Sequence, residues 1–313
     1  MNIAFHTNQL SLRGTEVAMY DYAKYNEELL ENTSIIISGH YDLNKCSHPL
    51  SIEKFKKRFP VYLYNNFNEV EKILDDNKID VFYAQKAGFI DGVISKNRKT
   101  VIHTVFQYHQ PHGNIYAYIS KWLGEKYNMP FVPYMVTLPD INNNLRKELN
   151  IPEDAIVFGR YGGIETFDIL FARDVVKESL DSRKDVYFLF MYTDKFIDHP
   201  RVIFLKGNQD LEYKVKFINS CDAMLHARTV GETFGLAVAE FSVRNKPVIT
   251  FGGSQRESAH LQMLGEKALK YYNKQDLFNI INYFKPEPDK DWNAYRDYSP
   301  EKIMKIFKNV FLT

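Results

Sequence analysis

The sequence predicts an α/β protein of two doubly wound domains, each a parallel sheet covered by helices on both faces. Short β-prone runs alternate with helical segments along most of the chain, and that alternation builds parallel sheets. It is interrupted once, by the proline-bracketed stretch Phe131 to Asp140, where we place the linker. The 313 residues, 45% apolar and 15% aromatic, suffice for two cores of ordinary size. The expected domains are residues 1–135 and 136–297. Sheets of this kind bind ligands outside the carboxyl ends of their strands.

Composition excludes several classes. A net charge of +1 offers no general attraction for a polyanion, so a nucleic-acid partner is not expected. Cys46 and Cys221 are the only cysteines; no Cys/His spacing reads as a zinc site, and we expect reduced thiols in a cytoplasmic protein. The N-terminal Met1 to His6 has no basic segment followed by a long apolar one, and no later run is long enough to span a bilayer.

In the first domain, Asn2 to His6 reads as a strand, Thr7 to Thr15 as a polar loop and Glu16 to Leu30 as an amphipathic helix. Ser34–Ser38, Val61–Tyr64, Ile79–Tyr83 and Thr100–His103 are further strands. Two features fall at strand ends. Gly14, in Leu12-Arg13-Gly14-Thr15-Glu16, precedes a helix N-terminus; taken alone it is a turn glycine. His103 closes its strand, where a core or surface histidine is the plain reading. His109 and His112 lie in a loop that could face an acceptor, and their spacing fits no helical metal pair. Ile52 to Phe59 is basic and amphipathic; it reads as a solvated helix face, with peripheral docking on an anionic membrane as the other reading.

In the second domain Ala155 to Gly163 is a strand ending in glycines and carrying Arg160. Asp185–Met191 and Arg201–Leu205 follow, the latter leading into Lys206-Gly207-Asn208; then come a helix from Gln209 to Ser220, a strand from Asp222 to His226 and another from Pro247 to Phe251. From Asn273 onward the chain reads as helical. The sole D-x-D, Asp289-Lys290-Asp291, falls in that region between prolines and reads as solvated charge, so no metal is expected.

The most informative stretch runs from His226 to Glu240. A strand, a glycine-punctuated turn and a helix beginning near Phe234 make a site for an anion, because the first N–H groups of the helix and its dipole point there. Glu232 lies in the loop and Glu240 about two turns on; at 1.5 Å per residue they are about 12 Å apart along the axis. That is the scale of a sugar joined through a diphosphate to a ribose. A lone Glu is usually solvated, but Glu240 sits in the apolar run Leu236 to Phe241, where a charge needs a partner or a ligand.

Gly231-Glu232-Thr233-Phe234-Gly235, then Glu240, then Pro247-Val248-Ile249 resemble the E-x7-E signature of retaining glycosyltransferases of the GT-B fold, in particular glycosyltransferase family four. The resemblance implies two Rossmann-like domains facing across a cleft, with a terminal helix, about 298–313, crossing back onto the first. It implies transfer of a sugar from a nucleoside diphosphate sugar (UDP- or GDP-sugar), held by the second domain, to a glycan or other hydroxyl acceptor held by the first, with no cofactor or metal. Glu232, helped by the N–H groups of Phe234 and Gly235, would hold the transferred sugar; Glu240 would accept from the ribose hydroxyls. Arg160 and the Gly14 loop would stabilise the diphosphate, Gly207 and Asn208 would border the nucleobase, and His103 would position the donor sugar. Arg13, Glu16 and His109 would lie toward the acceptor. Two positions depart from the family: Arg13 replaces the first glycine of the loop, and Glu165 or Thr166 stands where a lysine follows Arg160. Arg13 or Arg228 could supply that cation. Its loss is compatible with a catalytically silent nucleotide-sugar-binding module or partner subunit; a sugar-nucleotide epimerase is a third reading. The patterns G-x-G-x-x-G and G-x4-G-K-S/T are absent, which argues against dinucleotide and P-loop chemistry.

Overall fold

The computed structural model describes residues 1–11, 13–40, 47–208, 210–254 and 256–313. Leu12 of the first loop, the thiol of Cys46 and the helix start at Gln209 lie outside the described residues. The chain divides into two compact units, residues 1–135 with 298–313, and residues 136–297.

The first unit is built on strands β1 (Asn2–Thr7), β2 (Thr33–Gly39), β3 (Val61–Tyr64), β4 (Val81–Lys86), β5 (Lys99–Thr104) and β6 (Ile115–Tyr118). They form one parallel sheet in the order β3-β2-β1-β4-β5-β6. Helices α1 (Gly14–Glu28), α2 (Pro49–Lys56), α3 (Glu69–Asp76) and α4 (Lys121–Tyr127) occupy its connections. Helix α1 starts two residues before the expected Glu16. The buried Glu16 carboxylate accepts from the hydroxyls of Thr7, Ser11 and Thr15, which ties the loop to the first turn. Strand β4 runs on to Lys86, three residues past the expected end, because its last polar side chains find partners: Gln85 donates to the Tyr134 hydroxyl at 2.8 Å, and Lys86 pairs with Asp91. The basic segment around α2 is largely neutralised. Arg58 pairs with Glu27, Lys57 with Glu53, and Lys54 lies over the Tyr20 ring, while Phe55 and Phe59 are buried. That is the solvated-face geometry.

The second unit carries β7 (Ile156–Tyr161), β8 (Val186–Met191), β9 (Val202–Leu205), β10 (Ala223–His226), β12 (Val248–Phe251) and β14 (Ala268–Tyr271), in the parallel order β14-β12-β10-β7-β8-β9. A separate two-residue parallel pair joins β11 (Gly231–Glu232) to β13 (Glu257–Ser258). The helices are α5 (Leu170–Ser182), α6 (Leu211–Ser220), α7 (Leu236–Val243), α8 (Ala259–Leu264) and α9 (Lys274–Tyr283). Phe158, Phe188, Val175, Leu225, Ile249 and Tyr271 belong to its core.

The region after Asn273 corrects the sequence reading. Helix α9 stops at Tyr283, and residues 284–299 are not helical, because Pro286 and Pro288 have no N–H to continue it. Asp289-Lys290-Asp291 therefore sits in turns, with Asp291 paired to Lys267 at 2.8 Å and to Arg296. The chain then enters α10 (Pro300–Phe307), which packs on α1; Phe307 stacks on Phe5 and Tyr22, and Phe311 meets the Tyr83 ring edge-on. No helix among the described residues is long and apolar enough to cross a membrane.

Candidate functional site at the reversal point of the second sheet

Both sheets start from a central strand, wind outward in one direction, then return to the centre and wind in the other. In the second, that reversal lies between β7 and β10, where open α/β sheets leave a ligand crevice at the carboxyl ends. Arg160 stands at the end of β7, His226 ends β10, and Glu232 follows in β11.

Arg160 is 3% exposed, and its direct partners are all neutral. One terminal nitrogen donates to the Tyr192 carbonyl at 3.3 Å and to the Thr193 hydroxyl; the other donates to the Gly163 carbonyl at 2.7 Å and the Thr166 hydroxyl at 2.5 Å. Burial lowers its pKa to about 10, with the charges of Glu232 and Glu165 opposing the shift. The side chain thus fixes the loops after β7 and β8 and, among the described residues, has no acidic hydrogen-bond partner. A positive charge so placed favours an anion nearby.

Glu232 is held at both oxygens. Its Oε2 accepts from Arg228 at 2.7 Å, and Nε2 of His226 lies 3.3 Å from Oε1. Burial pushes the carboxyl pKa up, but the hydrogen bond from His226 and the Arg228 charge outweigh it and bring the value to about 2. The group is an ionised acceptor. The Arg228 loop is itself anchored, since Asp168 accepts from the backbone N–H of Thr229 at 2.7 Å and from its hydroxyl at 3.0 Å. Gly231 has φ +81, and a Cβ there would lie 1.8 Å from the Glu257 carbonyl oxygen, so glycine is required for β11 to approach β13.

Helix α7 begins at Leu236, two residues later than expected. Its N-cap is Gly235 at φ 84, which brings no side chain to the first free N–H groups. Phe234 is buried, edge-on to Tyr295, and its carbonyl accepts from the Tyr295 hydroxyl at 3.1 Å. Glu240 has the partner its apolar setting demands: the Tyr161 hydroxyl donates to Oε2 and the Lys214 ammonium lies 2.8 Å from Oε1. Any ribose hydroxyl must therefore share this carboxylate. Gly207 and Asn208 are exposed after β9, and Asn208 Oδ1 accepts from the Asp210 N–H at 2.9 Å.

Arg160, Glu232, Phe234, Gly235 and Glu240 all lie in the second unit, and Gly14, Arg13, Glu16, His103 and His109 lie in the first. Gly14 and Arg13 are exposed at the start of α1, whereas Glu16 is buried beneath it. His109 is exposed, its ring stacked on Tyr127 at 4.6 Å. His103 departs from its expected place at a sugar. It is fully buried, with Nδ1 at 2.5 Å from the Tyr83 hydroxyl and Nε2 at 2.8 Å from the Val132 carbonyl, and burial lowers its pKa to about 3. Neither ring nitrogen is left for a ligand, which makes it a core histidine.

Sequence reasoning gave no role to His226, Lys214, Tyr161 or Tyr192. Arg228 and His226 stand four and six residues before Glu232, a signal that was readable. Tyr192, with φ 53 and a ring 40% exposed beside Gly207, carries no sequence signal, since a bulky residue in the left-handed region is known only from the structure.

The sequence matches no protein-family model and no curated protein. Its fold is similar to that of several solved structures. A glycosyltransferase from Rickettsia africae aligns with TM-score 0.66 at 14% identity, covering 99% of this chain and 94% of that one. Anabaena HepE in complex with UDP-glucose aligns with TM-score 0.66 at 15% identity, covering 99% and 95%. A TarM mutant of S. aureus in complex with Fondaparinux, α-GlcNAc-glycerol and UDP aligns with TM-score 0.68 at 10% identity, covering all of both chains. At these identities the likeness establishes the fold, which is GT-B: two Rossmann-like units with parallel six-stranded sheets.

Proposed function

We propose that the protein is a retaining glycosyltransferase that moves a sugar from a nucleoside diphosphate sugar, of the UDP or GDP class, to a hydroxyl of a glycan or other acceptor, without a metal. The observation that carries this is the ionised Glu232 held at the reversal point of the second sheet, beside an Arg160 whose partners are neutral. A carboxylate to accept from sugar hydroxyls and a guanidinium to face a diphosphate are what such a donor requires. The uncapped start of α7 adds N–H donors. The likeness to HepE, crystallised with UDP-glucose, supports the same class.

In this reading Glu232 and the N–H groups of Phe234 and Gly235 hold the transferred sugar, and Arg160 stabilises the charge that builds on the leaving diphosphate. Glu240 accepts from the ribose, Gly207 and Asn208 border the base, and the acceptor belongs to the first unit near Gly14, Arg13, Glu16 and His109. No nucleophilic side chain is needed. The acceptor oxygen attacks the face the leaving phosphate vacates, and that phosphate takes the acceptor proton. His103, enclosed in the core, has no part in it.

The test is thermal stabilisation of the full chain by UDP, GDP, ADP and TDP sugars without metal, beside Glu240→Gln. A shift of several degrees for one base, reduced in the variant, is the expected result for ligand well above its dissociation constant. Product from that donor should then keep its anomeric configuration by NMR. Glu165, exposed where the family's lysine would stand, favours one second reading, a catalytically silent nucleotide-sugar-binding module. Binding with neither transfer nor slow donor hydrolysis would select it, and a flat panel with folded protein would end both readings.

A further inference from the structure

We propose that His226 is a positioning residue that sets the orientation of the Glu232 carboxylate, with Thr250 anchoring the other side of its ring. This rests on the reading of Glu232 as the group that meets the sugar.

His226 is the last residue of β10 and is 6% exposed. Its Nδ1 lies 2.8 Å from the hydroxyl of the fully buried Thr250, its register partner on β12, while Nε2 faces Glu232 Oε1 at 3.3 Å. Its carbonyl accepts from the Tyr271 hydroxyl at 3.0 Å, and the His260 ring lies 5.1 Å from its own. The ring is thus held from β12 and α8, and the backbone from β14.

Glu232 is ionised and can only accept, so the nitrogen facing it must carry the proton. In the neutral ring Nδ1 is then a lone pair, and the Thr250 hydroxyl donates to it. The opposite tautomer would set the Nε2 lone pair against a carboxylate. His260 is held toward its neutral form, because burial, chiefly, lowers its pKa to about 3. A histidine that serves packing alone bonds wherever the core offers a partner, as His103 does. His226 instead directs its donor at a carboxylate beyond the strand end. With Arg228 on Oε2, the two donors fix the plane of Glu232 and leave its outward lone pairs for a ligand.

Two measurements on the full chain test this. The ¹⁵N spectrum of labelled histidines, with His226→Gln as the assignment control, should show His226 protonated at Nε2 near neutral pH; an Nδ1–H form, or an even mixture of the two, overturns the proposal. For donor turnover, His226→Gln keeps an N–H where Nε2 stands and His226→Leu removes it. His226→Leu should lose about tenfold in kcat at unchanged KM, the effect of one charge-assisted hydrogen bond, while His226→Gln retains most activity. Equal losses in the two variants, or a loss confined to KM, overturn it. If the wild type turns over no nucleotide sugar, the functional reading fails, and the tautomer measurement still decides the hydrogen-bond relay.

Discussion

Replacing Glu232 by Gln removes one charge and keeps the shape of the side chain, so it isolates the electrostatics of the site. Burial alone would raise this carboxyl's pKa; the His226 hydrogen bond and the Arg228 charge instead take it from 4.5 to about 2. A depression of that size is worth about 3 kcal/mol of native stability. The side chain is 21% exposed, and solvent screening brings the expectation to about 2–3 kcal/mol. Because the folded value is the lower one, the contribution is complete well above 4.5 and disappears as the pH falls through about 2. Glu232→Gln should therefore melt about 5–10 °C below wild type at pH 7, and the gap should shrink by roughly half at pH 3. Trp292, buried in the second unit, reports its unfolding by fluorescence once Trp122 of the first unit is replaced by Phe. Equal melting at pH 7, or a gap unchanged at pH 3, would refute the argument that His226 and Arg228 stabilise the ionised form.

Three further substitutions address the neighbouring groups. Lys214→Met leaves the Glu240 carboxylate, with its side chain 6% exposed, short of its cation and should cost about 3–5 kcal/mol; adding Glu240→Gln should recover much of this, and denaturant unfolding of the two variants measures it. His103→Leu deletes hydrogen bonds to Tyr83 and Val132 and should cost about 1–3 kcal/mol while leaving nucleotide-sugar binding intact; lost binding at unchanged stability would return His103 to the site. Gly231→Ala forces a Cβ against the Glu257 carbonyl at a positive φ and should cost roughly 3 kcal/mol or more and abolish ligand-induced stabilisation. A variant that melts like wild type would show that the β11–β13 approach is not as tight as drawn.

The strands most legible in the sequence were those whose apolar runs are buried on both faces. Val186 to Met191 is an example, nearly all of it core. Strand β14, Ala268–Tyr271, escaped notice: three of its four residues keep some solvent contact and its Lys270 is exposed, so no apolar run announces it. The pair β11–β13 is too short for any periodicity and exists because Gly231 permits a close approach. Around Glu232, the local motif gave a glycine turn and a following helix, with its start placed two residues early. It could not give Lys214 or Tyr161, which reach Glu240 across 26 and 79 residues of sequence. Glu240's need for a partner followed from its apolar neighbours; the identity of that partner is a tertiary fact. His103 shows the converse. Its strand-end position was read correctly, but only packing decides whether a strand-end side chain turns toward solvent or, as here, into a cluster of Tyr22, Tyr83 and Phe311.

The two sheets share one winding, so topology alone does not say which reversal point takes an anion. Charge inventory does. At the carboxyl ends of β1 and β4 in the first unit, burial keeps His6 neutral with a pKa of about 3, and the buried Lys86 is cancelled by Asp91. Glu16 is enclosed by hydroxyls, and burial raises its pKa, which lowers its tendency to ionise. Among the described residues, the buried cation there, Lys86, thus has an acidic partner. At the ends of β7 and β10, Arg228 is matched by Glu232, and Arg160 bonds only to neutral oxygens. Among the described residues Arg160 therefore has acidic groups near it but no carboxylate hydrogen-bonded to it, an arrangement open to an anion such as the proposed diphosphate. If this difference in pairing assigns the donor to the second unit, Arg160→Met should abolish nucleotide-sugar stabilisation, whereas Lys86→Met should lower folding stability and leave ligand affinity in place; the reverse pattern would place the anion on the first sheet.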